Sequence, residues 1–275
     1  MQEREDRGLR LVVTGAMGRM GQALVRYIAA NEGVDLVGAT ERHDHPDIGM
    51  DVGQAILGKT NGVSLEIELR TALISAQAII DFTLPEASVA GAAVAARYGI
   101  PLVIGTTGLH DEHKEAIAHA AGDIPIVLAP NMSVGVNLLF YLARHAARVI
   151  GEDTDVEIVE THHRNKVDAP SGTALRLAQI VGDELGYETP EEYYLHGRVG
   201  HTGVRPGGRI GLHAVRGGGV VGSHDLHFYA DAEVLTLSHQ ALSRDNFVRG
   251  AVRAAHWLQG KDAGLYDMGD VLGLK

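Results

Sequence analysis

The chain has 275 residues, and 24 lysines and arginines stand against 35 aspartates and glutamates, for a formal charge of -11 at pH 7. A chain this acidic is a poor match for nucleic acid or an anionic membrane, so we expect neither as its main partner. It contains no cysteine, which excludes disulfides, thiolate catalysis and cysteine-based metal sites.

The sequence gives no sign of export or membrane insertion. The first ten residues are charged and lack the apolar segment of a secretory signal. No run of the chain approaches the roughly 20 apolar residues that a membrane span requires. We therefore expect a cytoplasmic protein.

Up to residue 131 the chain alternates short apolar runs with amphipathic ones. We predict strands at 9–14, 34–40, 78–82, 101–105 and 124–129, and helices at 19–30, 86–98 and 111–121. Residues 41–61 have little periodicity and are rich in Gly, His and Asp, so we expect mostly loop there. The alternation predicts βαβ units and therefore a parallel sheet flanked by helices.

After residue 131 the pattern changes, and strands follow one another more closely. We predict helices at 134–150, 174–185 and 246–258, and strands at 155–161, 210–216, 223–230 and 233–240. Clustered strands favour an antiparallel or mixed sheet in a second, α+β domain, so we place a domain boundary near residue 131. Tyr193 and Tyr194 lie outside these elements, and we interpret them as surface or loop residues.

A glycine-rich turn joins the first predicted strand to the first predicted helix. Its residues are Gly15, Ala16, Met17, Gly18, Arg19, Met20 and Gly21. Glycines there allow a tight turn and let a pyrophosphate approach the backbone at the positive N-terminus of the helix. The spacing alone is a weak signal, because turn glycines are common in α/β proteins. The strand before it and the helix after it favour a dinucleotide site over a purely structural turn.

An acidic and a basic residue follow at the end of the second strand, about twenty residues on, where the ribose of a dinucleotide would lie. Glu41 can accept hydrogen bonds from the two ribose hydroxyls of NADH, and Arg42 can pair with the 2′-phosphate of NADPH. The alternative is a solvated Glu-Arg pair. Our hypothesis is that the chain uses both cofactors.

Residues 160–173 combine proton donors, positive charge and the start of a helix. The cationic side chains are those of His162, His163, Arg164 and Lys166, and the helix start is Pro170, Ser171, Gly172 and Thr173. An imidazole donates a proton readily near neutral pH, and a helix N-terminus offers backbone N–H groups to a carboxylate. The competing interpretations are a histidine that is simply hydrogen-bonded within the fold or lies on the surface, and an ordinary helix N-cap. In a chain this acidic, the cluster favours a site that holds a small dianion and protonates it.

Several motifs occur together in an order typical of one family. They are the glycine turn, Asp81-Phe82-Thr83, Gly105-Thr106-Thr107-Gly108, Ala129-Pro130-Asn131-Met132-Ser133 and the segment from His162 to Thr173. Over nearly the whole chain, the sequence resembles the 4-hydroxy-tetrahydrodipicolinate reductase family. Two residues depart from the family pattern: Asn165, where another histidine is expected, and Met132, where phenylalanine is common.

The resemblance implies reduction of a cyclic imine dicarboxylate to tetrahydrodipicolinate by NADPH, NADH or both, in lysine and diaminopimelate synthesis. It implies an α/β Rossmann dinucleotide-binding domain, residues 1–131, which is rejoined by residues 242–275. A smaller α+β substrate domain with a mixed sheet, residues 132–241, is expected between them and is expected to assemble the chain into a homotetramer. The two domains are expected to close on the substrate.

The resemblance also assigns roles to single residues. It gives His162 the acid/base role and makes Lys166 a second proton donor. It implies that the nicotinamide end of the cofactor site is lined by Gly105, Thr106, Thr107, Ala129, Pro130, Asn131 and Met132. For the substrate carboxylates, we expect contacts from His163, Ser171, Gly172, Thr173 and, from the other domain, Thr107.

Other functions compete with this one. The pairs His43 and His45, and His224 and His227, have possible metal-ligand spacing, but neither is a helical i,i+4 pair, and we expect no metal. A different nicotinamide dehydrogenase would share the glycine turn but would have no reason to carry residues 160–173. A non-catalytic redox sensor that binds NAD(P)H and DNA should carry a basic recognition module, and none is visible.

Overall fold

The computed structural model describes residues 8–274, apart from the side chain of Glu191. The chain forms two compact units. The first holds the residues up to Val134 together with those from Asp245 onward, and the second is Gly135–Arg244. None of the described helices has both the length and the apolar character needed to cross a membrane.

Strands and helices alternate between residues 8 and 133. The strands are β1 (Leu9–Thr14), β2 (Val34–Thr40), β3 (Leu65–Glu66), β4 (Ala78–Asp81), β5 (Leu102–Ile104) and β6 (Pro125–Leu128). The helices are α1 (Arg19–Ala30), α2 (Val52–Leu57), α3 (Leu69–Ala72), α4 (Pro85–Tyr98) and α5 (Asp111–Ala120).

The remaining elements fall into two groups. The second unit is built from α6 (Val134–Ile150), β7 (Asp155–His162), α7 (Gly172–Glu184), α8 (Pro190–Tyr193), β8 (Tyr194–His196), β9 (Ile210–Arg216), β10 (Gly222–Tyr229) and β11 (Val234–Ala241). The chain then rejoins the first unit through α9 (Asp245–Trp257), β12 (Gly264–Tyr266) and α10 (Met268–Leu272).

The sheet of the first unit is parallel, with the strand order β12-β6-β5-β4-β1-β2-β3. Parallel neighbours need crossover connections, which explains why helices separate most of these strands in sequence. Strand order changes direction at β1, and ligands bind at the carboxyl ends of strands at such a point. This arrangement confirms the predicted Rossmann fold class.

The alternation of side chains along β1 explains how this sheet is buried on both faces. Leu11 and Val13 belong to the same core cluster as Leu24 and Ile28 of α1. Val12, which points the other way, belongs to a separate core cluster. Because both faces are covered, β1 is an almost continuous apolar run.

Residues 41–61, expected to be mostly loop, contain the helix α2. Asp51 caps this helix by accepting a hydrogen bond from the Gln54 N–H at 2.8 Å, and it also accepts from the Asn61 N–H at 3.1 Å. Gly58 ends the helix in the left-handed conformation, with φ 71°. Capping at both ends, rather than apolar periodicity, defines this short helix, and for that reason the sequence pattern missed it.

The sheet of the second unit has the order β11-β10-β7-β9-β8. β10 is antiparallel to β7 and β11, whereas β9 is parallel to β7 and β8, so the predicted mixed sheet is confirmed. On one face, Val156 and Ile158 of β7 share a core cluster with Leu177 of α7. The other face is open in part: Tyr229 is 42% exposed and Val234 is 53% exposed.

Tyr193 is a core residue, which corrects its interpretation as a surface or loop side chain. Only 4% of it is exposed, and it belongs to the core cluster of the second unit. A Cβ at Gly182 of α7 would lie 2.7 Å from the Tyr193 ring. A glycine on the helix therefore makes the space that this ring fills.

Candidate active site

The glycine turn lies between β1 and α1. Gly15 has a φ of 63°, a left-handed conformation that disfavours side chains, and a Cβ there would lie 2.9 Å from Thr83 Cγ2. A Cβ at Gly21 would lie 2.1 Å from the Gly15 carbonyl oxygen. Gly18 is the N-cap of α1, so no side chain caps this helix at its start. The turn thus leaves the backbone N–H groups at the start of α1 open to a phosphate.

Glu41 and Arg42 follow β2 beside this turn. The Glu41 carboxylate accepts hydrogen bonds from the Met17 N–H at 3.0 Å and from the Arg42 N–H at 3.1 Å. The Arg42 side chain is 71% exposed, and its Nε lies 3.2 Å from Asp44 Oδ1. A cavity of about 680 Å³ is lined by residues that include Thr14, Gly15, Gly18, Glu41, Arg42, Arg70 and Leu84. The glycine turn and the end of β2 therefore border the same space.

Two further loops follow neighbouring strands of this sheet. Gly105, Thr106 and Thr107 follow β5, and Ala129, Pro130, Asn131 and Met132 follow β6. Thr106 is buried, and its Oγ1 accepts a hydrogen bond from the Ser88 hydroxyl at 2.8 Å. Thr107 and Pro130 are exposed, whereas Met132 is buried. Because the strands are parallel, these loops and the glycine turn lie along one edge of the sheet.

Asp81, at the end of β4, anchors the loop that follows it. Its Oδ1 accepts hydrogen bonds from the Thr14 hydroxyl at 2.9 Å, the Thr83 hydroxyl at 2.6 Å and the Thr83 N–H at 2.9 Å. A Cβ at Gly105 would lie 2.1 Å from the ring of Phe82 in the same loop. Asp81 and Gly105 thus fix the loop beside the glycine turn.

In the second unit, His162 is the last residue of β7. Its Nδ1 lies 2.6 Å from Glu160 Oε2, and its side chain is 12% exposed. On the neighbouring strand β10, a Cβ at Gly222 would lie 3.0 Å from His162 Nε2. Within residues 8–274, no hydrogen bond to this Nε2 occurs. The ring is therefore held at Nδ1 and free at Nε2.

The carboxylate of Glu160, to which sequence analysis assigned no role, lies fully buried behind this ring. Arg216 of β9 donates to its two oxygens at 2.7 and 2.8 Å, and the Ser171 N–H donates to Oε1 at 3.0 Å. Burial raises the pKa of Glu160, but hydrogen bonds from Arg216 and His162 outweigh it, and the pKa lies below its ordinary value. The signal available in the sequence was spacing, because residues two apart on a strand share a face.

Lys166 lies in the loop after β7. Its Nζ donates to both carboxylate oxygens of Asp168, at 2.8 and 2.7 Å, and this contact lowers the pKa of Asp168. Arg216 Nη2 also donates to the Asp168 carbonyl oxygen at 2.7 Å. One guanidinium therefore contacts both the carboxylate that holds His162 and the residue that holds Lys166. Nearby in sequence, Nδ1 of His163 is buried without a hydrogen-bond partner among the described residues.

Ser171 is the N-cap of α7, as an ordinary capping interpretation predicts. Its Oγ accepts a hydrogen bond from the Ala174 N–H at 3.2 Å and lies 2.9 Å from His224 Nε2. Burial lowers the pKa of His224 to about 4, so this imidazole is neutral at pH 7. Gly172 is exposed, and no atom lies within 4 Å of the position a Cβ would occupy. Thr173, half-buried, completes the first turn.

The histidines considered as metal ligands do not form a cluster in the described part of the chain. There, no group of three or more His, Asp or Glu side chains is arranged to hold a metal ion. His224 and His227 are three residues apart on β10 and therefore point to opposite faces of the sheet.

Both units match known families. Residues 9–132 match the family described as Dihydrodipicolinate reductase, N-terminus, and residues 135–272 match Dihydrodipicolinate reductase, C-terminus. A 4-hydroxy-tetrahydrodipicolinate reductase from Anaeromyxobacter dehalogenans (strain 2CP-1) is 49% identical over 266 residues, which cover 97% of this chain and 98% of that protein. The protein of the same name from Laribacter hongkongensis is 50% identical over 267 residues, with coverage of 97% and 99%.

Solved structures share the fold. The dipicolinate-bound dihydrodipicolinate reductase from Paenisporosarcina sp. TG-14 has a TM-score of 0.75 and 24% identity, and the match covers 94% of this chain and 97% of that one. An amine dehydrogenase from Mycobacterium smegmatis has a TM-score of 0.60 and 12% identity, with 96% of each chain covered. Because dehydrogenases with different names share this architecture, the fold alone does not select a substrate.

Proposed function

The chain belongs to the dihydrodipicolinate reductase family, and we propose how its residues carry out the NAD(P)H-dependent reduction of 4-hydroxy-tetrahydrodipicolinate to tetrahydrodipicolinate. This reaction belongs to lysine and diaminopimelate synthesis. We propose it in place of the two rival functions, a different nicotinamide dehydrogenase and a non-catalytic redox sensor. One observation carries the mechanism: the His162 ring is held at Nδ1 by a buried carboxylate and is free at Nε2.

The glycine turn and the two neighbouring loops are the proposed cofactor site. The left-handed Gly15, the tight packing that excludes side chains at Gly21 and the uncapped start of α1 fit a pyrophosphate. The residues that would surround the phosphates are Gly15, Ala16, Met17, Gly18, Arg19 and Met20. Those that would hold the nicotinamide are Gly105, Thr106, Thr107, Ala129, Pro130, Asn131 and Met132. The bound nicotinamide supplies a hydride to the substrate.

The proposed cofactor preference is dual. Two backbone N–H groups hold the Glu41 carboxylate beside the turn, where its remaining lone pairs can accept from ribose hydroxyls. The exposed Arg42 can turn from Asp44 to a 2′-phosphate. Arg42→Ala should raise the Michaelis constant for NADPH about tenfold and leave that for NADH unchanged, the effect of losing one charge-assisted contact. The control is Arg26→Ala, an exposed arginine of α1. An unchanged NADPH constant in Arg42→Ala would overturn dual use.

His162 is the proposed acid. Loss of the 4-hydroxyl group as water gives a conjugated carbon–nitrogen system. Addition of hydride to that system would leave negative charge, which His162 would neutralise with the proton on Nε2. The hydrogen bond from Nδ1 to Glu160 keeps the ring in one orientation while that proton leaves. The 12% exposure of the side chain gives the ring a route to a new proton from solvent.

Lys166 is the proposed second proton donor, and it assists formation of the imine. Asp168 holds its ammonium group in place until substrate carboxylates attract it. The proposed carboxylate contacts are Ser171, the exposed Gly172 and Thr173 at the start of α7, together with His163 Nδ1, which has no hydrogen-bond partner among the described residues.

For assembly and location, the proposal is a homotetramer in the cytoplasm. The open face of the five-stranded sheet carries half-exposed apolar side chains, including Val215, Tyr229 and Val234, which support burial against other copies of the chain. Light scattering coupled to gel filtration should give the mass of four chains, and the mass of one chain would contradict the proposal.

The test of the mechanism generates the substrate in situ from pyruvate and aspartate semialdehyde with its synthase and follows NADPH and NADH at 340 nm. His162→Gln should lower kcat by about 100-fold or more, because general acid catalysis contributes a factor of this size. The matched control is His119→Gln, an exposed histidine of α5. A His162→Gln enzyme as fast as the control would refute His162 as the acid.

A further inference from the structure

We propose that Glu160 is a positioning residue for His162, and that Arg216 fixes Glu160 so that the proton of the reaction leaves from His162 Nε2. The proposal rests on the acid role of His162 proposed above. It concerns two residues that sequence analysis left without a function, on two neighbouring strands of the second unit.

The Glu160 carboxylate is immobilised by four hydrogen bonds. Oε1 accepts from Arg216 Nη2 at 2.8 Å and from the Ser171 N–H at 3.0 Å. Oε2 accepts from Arg216 Nη1 at 2.7 Å and contacts His162 Nδ1 at 2.6 Å. The side chain is 1% exposed, so water does not compete for these contacts. A carboxylate held in this way can position the imidazole that contacts it.

This geometry decides which nitrogen of His162 transfers the proton. An ionised carboxylate only accepts hydrogen bonds, so Nδ1 must carry a hydrogen in both the charged and the neutral ring. The depressed pKa of Glu160, in which hydrogen bonds from Arg216 and His162 outweigh burial, keeps this carboxylate ionised at neutral pH. Proton transfer is therefore confined to Nε2, the atom that faces Gly222 across the sheet.

Arg216 connects the two proposed proton donors. Besides clamping Glu160, its Nη2 donates to the Asp168 carbonyl oxygen at 2.7 Å, and Asp168 holds Lys166. The next residue, Gly217, donates its N–H to the His162 carbonyl oxygen at 2.9 Å. The end of β9 thus fixes the end of β7 and the loop that follows it.

Another ionisable group that packs on the His162 ring is His224 of β10. The two rings meet edge to face with centroids 5.2 Å apart. Burial lowers the pKa of His224 to about 4, so it carries no charge at pH 7. The negative charge of Glu160, which contacts His162 directly, is in turn paired with the positive charge of Arg216.

The decisive experiment compares Glu160→Gln with Glu157→Gln in the intact enzyme. Glu157 lies on the same strand and has a similar set of partners, Arg198, Arg205 and His213, but does not contact His162. We expect Glu160→Gln to lower kcat about 10- to 100-fold, the range typical when a partner that orients a functional histidine is lost, with little change in the substrate KM. Glu157→Gln should keep the wild-type kcat.

A double substitution distinguishes the positioning role of Glu160 from the acid role of His162 on which it rests. If Glu160 acts through His162, then Glu160→Gln combined with His162→Gln should be no slower than His162→Gln alone. A slow His162→Gln enzyme beside a Glu160→Gln enzyme with wild-type kcat would overturn the positioning role and leave His162 as the acid. A His162→Gln enzyme of wild-type rate would instead refute the acid role itself.

Glu160→Asp provides a second test if the glutamine variant does not fold. It keeps the charge but shortens the reach to Nδ1, so we expect a kcat between those of the wild type and Glu160→Gln. A folded Glu160→Asp enzyme with wild-type kcat would show that the position of this carboxylate has no influence on the reaction.

Discussion

Two buried glutamates on β7, Glu157 and Glu160, have partners of similar kinds, and we propose that they serve different purposes. Each carboxylate is clamped through both oxygens by one arginine, and each contacts a histidine nitrogen at 2.6 Å. Each has a pKa below its ordinary value, because hydrogen bonds from these cationic partners outweigh burial; that of Glu157 falls to about 2. They are three residues apart, so they lie on opposite faces of the sheet.

The difference lies in which histidine nitrogen is used. His213 contacts Glu157 through Nε2, so the outer nitrogen of its ring is engaged by the carboxylate. His162 contacts Glu160 through Nδ1, which leaves the tip free. A carboxylate, an arginine and a histidine can therefore make either a structural cluster or a proton-transfer site, and the residue types alone do not distinguish them.

The largest expected effect comes from removing the arginine that contacts both oxygens of each glutamate: Arg216 in the Glu160 cluster and Arg198 in the Glu157 cluster. Arg216→Met leaves the Glu160 charge buried, and we expect about 3–5 kcal/mol less unfolding free energy and a kcat about 100-fold lower. Arg198→Met is the matched change, but Glu157 keeps Arg205. We expect it to lose about 1–3 kcal/mol and to keep its kcat. Urea unfolding and saturating turnover measure the two quantities. Equal loss of kcat in both variants would abolish the proposed distinction between the clusters.

His224, which packs on the His162 ring, and Glu157 should also lose their contributions to stability in different ranges of pH. The folded pKa of His224, about 4, lies below its ordinary value of 6.5 because of burial. Between these values the unfolded chain binds a proton that the folded chain does not, so stability falls as pH falls, by about 3 kcal/mol over the range. Glu157, with its pKa lowered from 4.5 to about 2, loses its contribution as pH falls from 4.5 toward 2.

Unfolding measured from pH 7 to pH 4 checks this. His224→Gln should flatten the dependence over that range, whereas His119→Gln on the exposed face of α5 should keep the wild-type slope. A His224→Gln variant with the same slope as wild type would mean that another group causes the loss.

How much the sequence predicted depended on how local each feature is. The bounds of β1, α1 and β2 were predicted to the residue, because the apolar pattern and the glycine turn that define them involve neighbouring residues in the sequence. β3 and β12 were missed, since strands of two or three residues owe their pairing to the neighbouring strand. Tyr193 was misplaced for a similar reason: its burial depends on the space left by Gly182.

In the candidate site, too, the local features could be predicted from the sequence and the non-local ones could not. His162, Lys166 and Ser171 were visible as a local cluster of residue types. The pairing of Glu160 with Arg216 was not, because the two residues are 56 positions apart and meet only through the register of β7 with β9, in which His162 pairs with Arg216. Nothing in the composition of either strand specifies that register. Placing the positioning residues therefore required the structure, whereas proposing the acid did not.

The smallest expected effects come from a glycine beside each cluster, and they separate the two roles most sharply. A Cβ at Gly211 would lie 1.8 Å from Glu157 Oε2, so Gly211→Ala should lower the unfolding free energy by about 1–3 kcal/mol while the folded enzyme keeps its kcat. A Cβ at Gly222 would lie 3.0 Å from His162 Nε2. Gly222→Ala should therefore change stability little but lower kcat about tenfold, because the methyl group crowds the atom that transfers the proton.

Gly219→Ala is the control for Gly222→Ala, since no atom lies within 4 Å of a Cβ at that position. Turnover and urea unfolding of the three alanine variants should then give two independent losses, stability alone at Gly211 and rate alone at Gly222. If Gly222→Ala kept the kcat of Gly219→Ala, His162 Nε2 would not be the atom that transfers the proton. The contrast between the two glutamates would then reduce to two structural clusters on one strand.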